Sequence, residues 1–355
     1  MKGGKYMKVL LGMSGGVDST YAAVRLSEMG CTVEGAVIKM HEHTECSDAV
    51  ECAKALGIPI HIIDGEELFS SIVKENFVKE YSTGRTPNPC IICNERVKFR
   101  LLYDYAMSHG FDRIATGHYA KVKEMSDERG VRHAIEMTDS KKDQSYMLYR
   151  LPESILERLI FPLSDICKDD VREVTRKAGL SVSEKKDSME ICFLPMGKHY
   201  EYVEGVIGDR KLGNFVSADG VILGAHEGIC RYTVGQRKGL GISLGERAFV
   251  TDIDPVSCNI TLSDSFTGKA VTMLSDVVFS GISREELMKK STTEGAQYPF
   301  NVKIRYTAPP VACDVSLLEN GAVELRFSGN LRIAKGQSAV VYRNGVVMLG
   351  GIIEG

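Results

Sequence analysis

Three features that would mark particular classes of protein are missing from this sequence. It has no long uninterrupted apolar run, so we expect no membrane-spanning helix. It has no excess of basic residues: the formal net charge is −3, so any RNA contact must depend on local basic patches. No small-residue cleavage site follows the lysine-containing, partly apolar segment 1–13. We therefore interpret this segment as a first strand rather than a signal peptide, and expect a cytoplasmic protein.

What the sequence does contain is typical of a globular protein of two or three domains. It has 355 residues, of which 43% are hydrophobic and 26% are charged. In a chain expected in the cytoplasm, its ten cysteines favour thiols, metal ligands or catalytic groups over a disulfide scaffold. The cysteines are therefore candidates for functional residues.

The first half of the chain alternates apolar, β-rich runs with helical stretches. We expect strands at 8–12, 33–40, 58–63 and 113–116, and helices at 18–29, 48–56, 66–81 and 94–109. This alternation predicts an α/β fold with an open parallel sheet and helices on both faces.

After about residue 198 the pattern changes to short alternating runs separated by turn residues. Asn320-Gly321 and Asn344-Gly345 stand between apolar runs, which is a strong hairpin signal. The last third predicts a small antiparallel barrel or sandwich. We therefore divide the chain into three domains at 1–197, 198–265 and 266–355.

A glycine loop between the first predicted strand and the first predicted helix is the most informative segment. Its sequence is SGGVDS, at residues 14–19. The glycines let the backbone approach an anion, the serines offer hydroxyl donors, and the helix points its first N–H groups at the loop. This predicts a phosphate-binding loop, with a plain strand-to-helix turn as the alternative. It is not a Walker loop, because no lysine follows the glycines, nor does it fit the dinucleotide pattern G-x-G-x-x-G.

Six further segments narrow the interpretation. They are 84–94 (GRTPNPCIICN, a loop by its prolines), 115–119 (ATGHY), 142–146 (KDQSY), 186–193 (KDSMEICF), 233–241 (TVGQRKGLG) and 336–340 (GQSAV). The glycine loop resembles the PP-loop of ATP pyrophosphatases, which split ATP between its α and β phosphates. Together, the loop and the six segments resemble the bacterial tRNA-specific 2-thiouridylases, which make 2-thiouridine at wobble position 34 of certain tRNAs.

This resemblance implies a PP-loop catalytic domain, a small central domain and a C-terminal β-barrel. It also implies ATP and Mg²⁺ as cofactors, with Asp18 as the residue that holds Mg²⁺. The residues expected to bind the nucleotide are Gly12, Met13, Ser14, Gly15, Gly16, Val17, Asp18, Ser19, Ile38 and Gly117. The residues expected to contact tRNA are Asn88, Pro89, Cys90, His118, Lys142, Asp143, Gln144, Arg305, Tyr306 and Gln337.

Replacing the 2-oxygen of uracil with sulfur requires an activated oxygen and a sulfur nucleophile. Transfer of AMP makes the oxygen a good leaving group, and a thiolate or persulfide can then attack carbon 2. By resemblance, Cys93 receives the sulfur as a persulfide from a sulfur-donor protein, and Cys192 helps to release it. The alternatives for either cysteine are a buried structural role or a disulfide.

Cys90 stands where many members of the family have an aspartate, so a mechanism that needs this aspartate does not carry over. Cys90 and Cys93 form C-x-x-C, which alone also fits a redox pair or half of a zinc site. Together with Cys192 they supply the three thiolates of a 4Fe–4S cluster with one open iron. A weaker metal trio, for which a solvated loop is favoured, consists of His41, His43 and Cys46.

Local basic groups and tyrosines in the chain are candidates for RNA contacts. Phosphate contacts are expected from Arg210, Lys211, Arg237, Lys238, Lys303 and Arg305. Tyr119, Tyr146 and Tyr306 are candidates for stacking on a base that leaves the anticodon stack, with core packing as the alternative.

Two rival functions stay open. One is a PP-loop enzyme with another substrate, either a thiouridine synthase acting at another tRNA position or an amidating synthetase. The other is a catalytically inactive RNA-binding protein.

Overall fold

The computed structural model describes residues 6–127, 130–166, 171, 191–194, 199–243, 245, 247–265, 268–291 and 300–355. Part of the 186–193 motif, 186–190, lies outside the described residues, as do 195–198 and 266–267 at the proposed domain boundaries. The division into three domains stays a prediction. By its internal contacts the chain divides into two compact units. The first comprises Met1–Val73, Cys90–Met189 and Asn344–Met348, and the second comprises Lys74–Pro89, Glu190–Arg343 and Leu349–Gly355.

The first unit contains a five-stranded parallel sheet whose central strand is the first in the chain. The strand order is β3 (Ile60–Asp64), β2 (Thr32–Lys39), β1 (Lys8–Gly12), β4 (Arg113–Thr116) and β7 (Leu159–Ile160). Neighbouring strands are parallel throughout. Outside this sheet, β5 (Lys121–Asp127) and β6 (Gly130–Glu136) form an antiparallel hairpin, and Glu136 of β6 pairs with Val346. The predicted α/β fold is confirmed.

The described α-helices are mostly short and lie between the strands. In chain order they are α1 (Val17–Glu28), α2 (Ser47–Leu56), α3 (Glu66–Phe69), α4 (Glu75–Ser82), α5 (Pro89–Cys93), α6 (Phe99–Ser108), α7 (Ser145–Leu148), α8 (Glu153–Leu156), α9 (His199–Ile207) and α10 (Arg284–Ser291). Two π-helical turns, Ser70–Lys74 and Asn94–Lys98, join α3 to α4 and α5 to α6. No α-helix in these described stretches is long and apolar enough to cross a membrane.

Local sequence explains where the first two helices begin and end. Asp18 and Asp48 stand in the first turns of α1 and α2, where a negative charge is favourable at the positive end of the helix. Gly57 ends α2 in a left-handed conformation, with φ of 66°. The apolar faces of both helices pack on the sheet in one buried core that includes Val9, Leu11, Ala22, Leu26, Val37, Ala49 and Ala53.

The segment 84–94 is only partly a loop, which corrects the expectation drawn from its prolines. Pro89 begins α5, and helical structure continues from there into α6. A proline fits the first turn of a helix because no N–H donor is needed there. Cys90 and Cys93 therefore stand about one turn apart on a helix.

Two β-structures follow α9 in the chain. The first is a four-stranded sheet in the order β10 (Phe249–Ile253), β11 (Ile260–Ser263), β8 (Gly213–Val216) and β9 (Ile222–His226), with a core around Phe215 and Tyr232. The second is a closed barrel of β12 (Lys269–Phe279), β15 (Val323–Leu331), β14 (Val311–Leu317), β13 (Phe300–Lys303), β16 (Ser338–Arg343) and β17 (Val346–Ile353).

The closure of this barrel decides between the two predicted architectures. β12 pairs antiparallel with both β15 and β17, so the six strands form a ring rather than two separate layers. The predicted turn residues Asn344 and Gly345 both have positive φ, of 51° and 79°. This is the conformation of a type I′ hairpin turn.

Candidate functional site

The glycine loop leaves β1 at its carboxyl end and leads directly into α1. The hydroxyl of Ser19 accepts a hydrogen bond from the Ser14 N–H at 3.2 Å and donates one to the Gly16 carbonyl oxygen at 3.1 Å. Gly16 is the cap residue and has no side chain with which to occupy the first N–H groups of the helix. The start of α1 can therefore present these N–H groups to an anion.

Only glycine fits at position 15 of this loop. Its φ is 70°, and a Cβ at this position would lie 2.4 Å from the Asp48 Cβ and 2.7 Å from the Ala49 nitrogen. The second contact is with backbone at the start of α2, which cannot rotate away. The glycine thus lets the loop lie directly against the neighbouring helix.

The end of β4 lies beside the same loop. β4 is followed by Gly117, where a Cβ would be 2.8 Å from both the Asp18 carbonyl carbon and the Ser19 nitrogen. The strand order reverses at β1, which pairs with β2 on one side and β4 on the other. Ligands of open parallel sheets bind at this kind of reversal. Ile38, in the last part of β2, is 8% exposed and lies at the same edge of the sheet.

Tyr119 links the phosphate loop to the segment around residue 144. Its hydroxyl donates a hydrogen bond to Asp18 Oδ1 at 2.7 Å. Its backbone N–H bonds Gln144 Oε1 at 3.0 Å, and its carbonyl oxygen accepts from the Gln144 N–H at 2.8 Å. Tyr119 is 2% exposed and Tyr146 is fully buried, so both belong to the core, and the expectation that they stack on a base is wrong. The role of Tyr119 as a partner of Asp18 was missed, because no spacing rule joins residues 101 positions apart.

Asp143 organises its own loop. Its Oδ1 accepts a hydrogen bond from the Thr138 N–H at 3.0 Å, and its Oδ2 accepts one from the Ser145 hydroxyl at 2.7 Å. The residue is 8% exposed. Its neighbour Lys142 is half-buried, with its backbone N–H bonded to the Ser140 hydroxyl at 3.1 Å. The geometry favours a role for Asp143 in shaping the loop that carries Lys142 and Gln144; whether these residues contact tRNA stays a prediction.

His118 lies at the end of β4 as a neutral side chain. Its Nδ1 is 2.9 Å from the Thr116 hydroxyl, and its ring packs against Phe99 with a centroid distance of 5.5 Å. Burial lowers the pKa of His118 to about 3, with a contribution from the positive charge of Lys98. At neutral pH His118 can therefore act through a hydrogen bond but not as a cation for phosphate.

The two cysteines of α5 have different surroundings. Cys93 is 7% exposed, and its Sγ lies 3.5 Å from the Sδ of Met40, the residue that directly follows β2. Cys90 is accessible to solvent, but neighbouring protein atoms desolvate its thiol and raise its pKa, an effect that Lys98 opposes. Cys93 is thus located near the carboxyl end of β2, the sheet edge at which the phosphate loop leaves β1.

The π-helical turn after α5 is tied to α7 and to Arg150 by Asn94 and Glu95, neither of which was a candidate site residue. Asn94 donates a side-chain hydrogen bond to the Met147 carbonyl oxygen at 3.0 Å. Glu95 pairs with the buried Arg150 at 2.7 Å; burial alone would lower the pKa of the guanidinium, but the pairing raises it. α7 follows Gln144 directly, so one short stretch contacts both the phosphate-loop side and the cysteine side of the first unit.

Cys192 lies in the second unit, on the short described stretch 191–194. It is exposed, while its neighbour Phe193 packs edge-on against Phe77 at 5.4 Å. Among the residues that the structure describes, no three His, Cys, Asp or Glu side chains are grouped as metal ligands. The structure therefore gives no support to the 4Fe–4S cluster or to the trio of His41, His43 and Cys46.

The expected tRNA-contacting residues of the second unit fall in two places. Arg305 Nη2 lies 3.8 Å from the point where a Cβ on Gly235 would stand, so the 233–241 motif and the Arg305-Tyr306 pair are neighbours. Lys303 Nζ lies over the Tyr306 ring at 5.7 Å. Gln337, in contrast, donates its side-chain N–H to the Thr86 carbonyl oxygen at 2.8 Å.

Comparison with known proteins gives a match to three family profiles, one after another along the chain. They are described as a tRNA methyl transferase HUP domain at residues 7–196, a tRNA methyl transferase PRC-barrel domain at 200–264 and an aminomethyltransferase beta-barrel domain at 283–353.

Individual relatives match almost the full chain. It is 41% identical over 366 residues to the tRNA-specific 2-thiouridylase MnmA of Clostridium perfringens, with 98% of each chain covered. It is 40% identical over 370 residues to the tRNA-specific 2-thiouridylase MnmA 1 of Clostridium botulinum strain Langeland, with 98% of this chain and 99% of the relative covered.

Proposed function

The chain belongs to the family of tRNA-specific 2-thiouridylases, and from this premise we propose that it replaces the 2-oxygen of uridine 34 in tRNA with sulfur, at the expense of ATP. One observation carries the proposal. The phosphate loop after β1 and the buried Cys93 thiol, next to Met40 after β2, lie at the same edge of one parallel sheet. A nucleotide bound at this edge would lie near a sulfur nucleophile, as an adenylation followed by thiolation requires.

The nucleotide step uses the phosphate loop. The hydroxyls of Ser14 and Ser19 and the first N–H groups of α1 are donors for the phosphates. Asp18 is the residue that would hold Mg²⁺, since its carboxylate is half-buried beside the loop and its Oδ1 is fixed by Tyr119. When bound, the metal neutralises phosphate charge. The 2-oxygen of uridine attacks the α phosphate, pyrophosphate leaves, and an adenylated uridine forms.

The sulfur step uses the cysteines. A sulfur-donor protein supplies Cys93 with a persulfide, whose outer sulfur attacks carbon 2 while AMP leaves with the oxygen. The Cys192 thiolate then attacks the Cys93 sulfur, which forms a disulfide and frees 2-thiouridine. A cellular thiol reduces this disulfide before the next turnover. Cys192 is exposed and so accessible to such a reductant.

The proposed tRNA contacts come from several of the motifs. Asn88, Pro89 and Cys90 would read the target base, and Lys142, Gln144 and His118 would contact RNA near the nucleotide. Arg305, Tyr306 and the adjacent 233–241 motif offer a cationic and aromatic surface. Because His118 is neutral, we assign it a hydrogen bond to RNA rather than a phosphate contact.

The proposal is tested by measuring both products of the reaction. Purified protein with ATP, tRNA, a persulfide-carrying sulfur-donor protein and a reducing thiol should release pyrophosphate, and the modified nucleoside should have sulfur in place of oxygen by mass spectrometry. Asp18→Ala should abolish pyrophosphate release and retain tRNA binding. Asp104→Ala, which removes an exposed carboxylate paired with Arg100, should have no effect. A nucleoside that gains a methyl group, or pyrophosphate release unchanged by Asp18→Ala, would contradict the proposal.

A cluster-held sulfide is the alternative source of sulfur, and iron analysis separates the two. A 4Fe–4S enzyme prepared without oxygen should contain about four irons per chain and lose them, with its activity, on Cys90→Ala. Complete thiolation by iron-free protein, with Cys90→Ala still active, is the result expected for the persulfide mechanism, which needs only Cys93 and Cys192.

A further inference from the structure

The segment 84–88, between α4 and α5, is held by residues 335–337, which directly precede β16. The Thr86 N–H donates to the Lys335 carbonyl oxygen at 2.8 Å, and the Thr86 carbonyl oxygen accepts from Gln337 Nε2 at 2.8 Å. Both backbone groups of Thr86 are therefore bound to one short stretch. Between these two partners, Gly336 has φ of 88°, and a Cβ there would lie 2.9 Å from the Thr86 nitrogen. Glycine allows this close approach.

The neighbouring Arg85 is held from two directions. Its Nη1 and Nη2 donate to the two carboxylate oxygens of Glu354, at 2.6 and 2.9 Å, and its Nε donates to Glu80 at 2.6 Å. Glu354 also accepts a hydrogen bond from the Ser275 hydroxyl of β12. A two-pronged guanidinium–carboxylate pair fixes orientation as well as distance. We call Glu80, Arg85, Gln337 and Glu354 the Arg85 network.

These contacts use all three guanidinium nitrogens of Arg85 and one amide N–H of Gln337. The three nitrogens of the guanidinium all donate to carboxylates, and the Gln337 amide nitrogen donates to Thr86. Arg85 is 21% exposed and stands beside two negative charges, which is unfavourable for a phosphate contact. The stretch 335–337, which includes the start of the 336–340 motif, thus holds the 84–88 segment.

We propose that the Arg85 network positions the segment that reads the target base, so that Arg85 and Gln337 are positioning residues for the thiolation reaction. The statement that the segment reads the target base rests on the proposed function; the statement that the network holds the segment does not. Thr86 is followed by Pro87 and Asn88, and the proline restricts the backbone that joins the fixed residue to Asn88. A shift of Thr86 would therefore move Asn88 and the start of α5, on which Cys90 stands.

Hydrogen exchange of the 84–88 segment in the enzyme without tRNA tests the network directly. Gln337→Met removes the donor to Thr86 and keeps a side chain of similar length, and Arg85→Ala removes the ion pairs. Both should increase exchange at Thr86 severalfold. Arg326→Ala, which removes an exposed barrel arginine paired with Glu324, should leave it unchanged. If Gln337 instead contacts tRNA, Gln337→Met leaves exchange unchanged and weakens only tRNA binding, which would overturn the proposal.

Steady-state kinetics then test the positioning role. A misplaced reading segment should lower kcat/KM for tRNA roughly tenfold to a hundredfold and change KM for ATP less than about twofold. Arg85→Lys, which keeps the charge and loses the two-pronged pair, should fall between Arg85→Ala and wild type. Variants with faster exchange but unchanged kcat/KM would reduce the network to a purely structural one and overturn the proposal. If the wild-type protein thiolates no tRNA, the proposed function fails, while the exchange measurement still decides whether the network holds the segment.

Discussion

The phosphate loop and the 84–88 segment are both proposed to position a substrate, but they are held in different ways. The phosphate loop is fixed by backbone and hydroxyl hydrogen bonds within 14–20 and by the contact of Gly15 with the start of α2. The 84–88 segment is fixed by ion pairs and hydrogen bonds to residues 269 and 251 positions away. One loop depends on what its own residues are, and the other depends on a distant part of the chain.

This difference indicates how each loop should respond to change. A loop built from close backbone contacts has no space for a further atom, so a single added carbon should disrupt it. A segment held by charged side chains near the surface should weaken gradually and respond to pH, because such pairs contribute little each and are screened by water. The predictions below test this contrast in order of expected effect.

Gly15→Ala should have the largest effect. The new Cβ would lie 2.7 Å from the Ala49 nitrogen, and its φ of 70° is strained for alanine. We expect pyrophosphate release to fall by at least about a hundredfold, because the loop or α2 must shift. Gly30→Ala is the matched control: it has φ of 78° but no atom within 4 Å of the new Cβ. It should lower the free energy of unfolding by about 1 kcal/mol and leave activity unchanged. Equal activity losses in the two variants would show that the loss does not depend on the contact between residue 15 and α2.

Tyr119→Phe should have an intermediate effect. It removes one buried hydrogen bond to Asp18 Oδ1 and keeps the backbone pairing with Gln144. A hydrogen bond to a charged group is worth about 1.5–3 kcal/mol, so kcat/KM for ATP should fall roughly tenfold to a hundredfold. Tyr105→Phe is the control, because it removes a hydroxyl contact to His61 Nδ1 at 3.0 Å elsewhere in the same unit. The role of Tyr119 would be refuted by a loss confined to thermal stability, with kcat/KM equal in both variants.

The same contrast explains which parts of the molecule could be predicted from the sequence. The parallel sheet and the phosphate loop were predictable because strand alternation and the loop chemistry of Gly15 and Ser19 depend on neighbouring residues. The hairpin turn at Asn344-Gly345 was predictable for the same reason. The resemblance in motifs supplied the family, which the comparisons confirm.

What could not be predicted depends on distant partners. Nothing near Tyr119 in the sequence indicates that its hydroxyl bonds Asp18, and nothing near Arg85 indicates Glu354 as its partner. The helix at Pro89 was missed because proline was taken to break regular structure, although it is accepted at the first turn. The three-domain boundaries and the individual site residues stay predictions.

The smallest effect is expected from acid acting on the Arg85 network. The pKa of Glu354 is lowered below its ordinary value, and the hydrogen bonds from the Arg85 guanidinium are the largest cause of this shift. A carboxylate with a lowered pKa stabilises the folded state above its ordinary pKa of about 4.3, and this contribution is lost as pH falls through the lowered value. Glu354→Gln lacks the contribution at every pH.

The difference in unfolding free energy between wild type and Glu354→Gln should therefore depend on pH. Because the Glu354 side chain is 37% exposed, water screens the pair, and we expect a difference of at most about 1 kcal/mol at pH 7. It should shrink steadily below about pH 4 as Glu354 becomes protonated. Urea unfolding midpoints measured across this range supply the test, with Gly30→Ala as a variant whose difference from wild type is independent of pH. A Glu354→Gln difference that stays constant down to the acid limit would mean that the charge of Glu354 does not hold the segment, and that Gln337 and the backbone of Lys335 hold it alone.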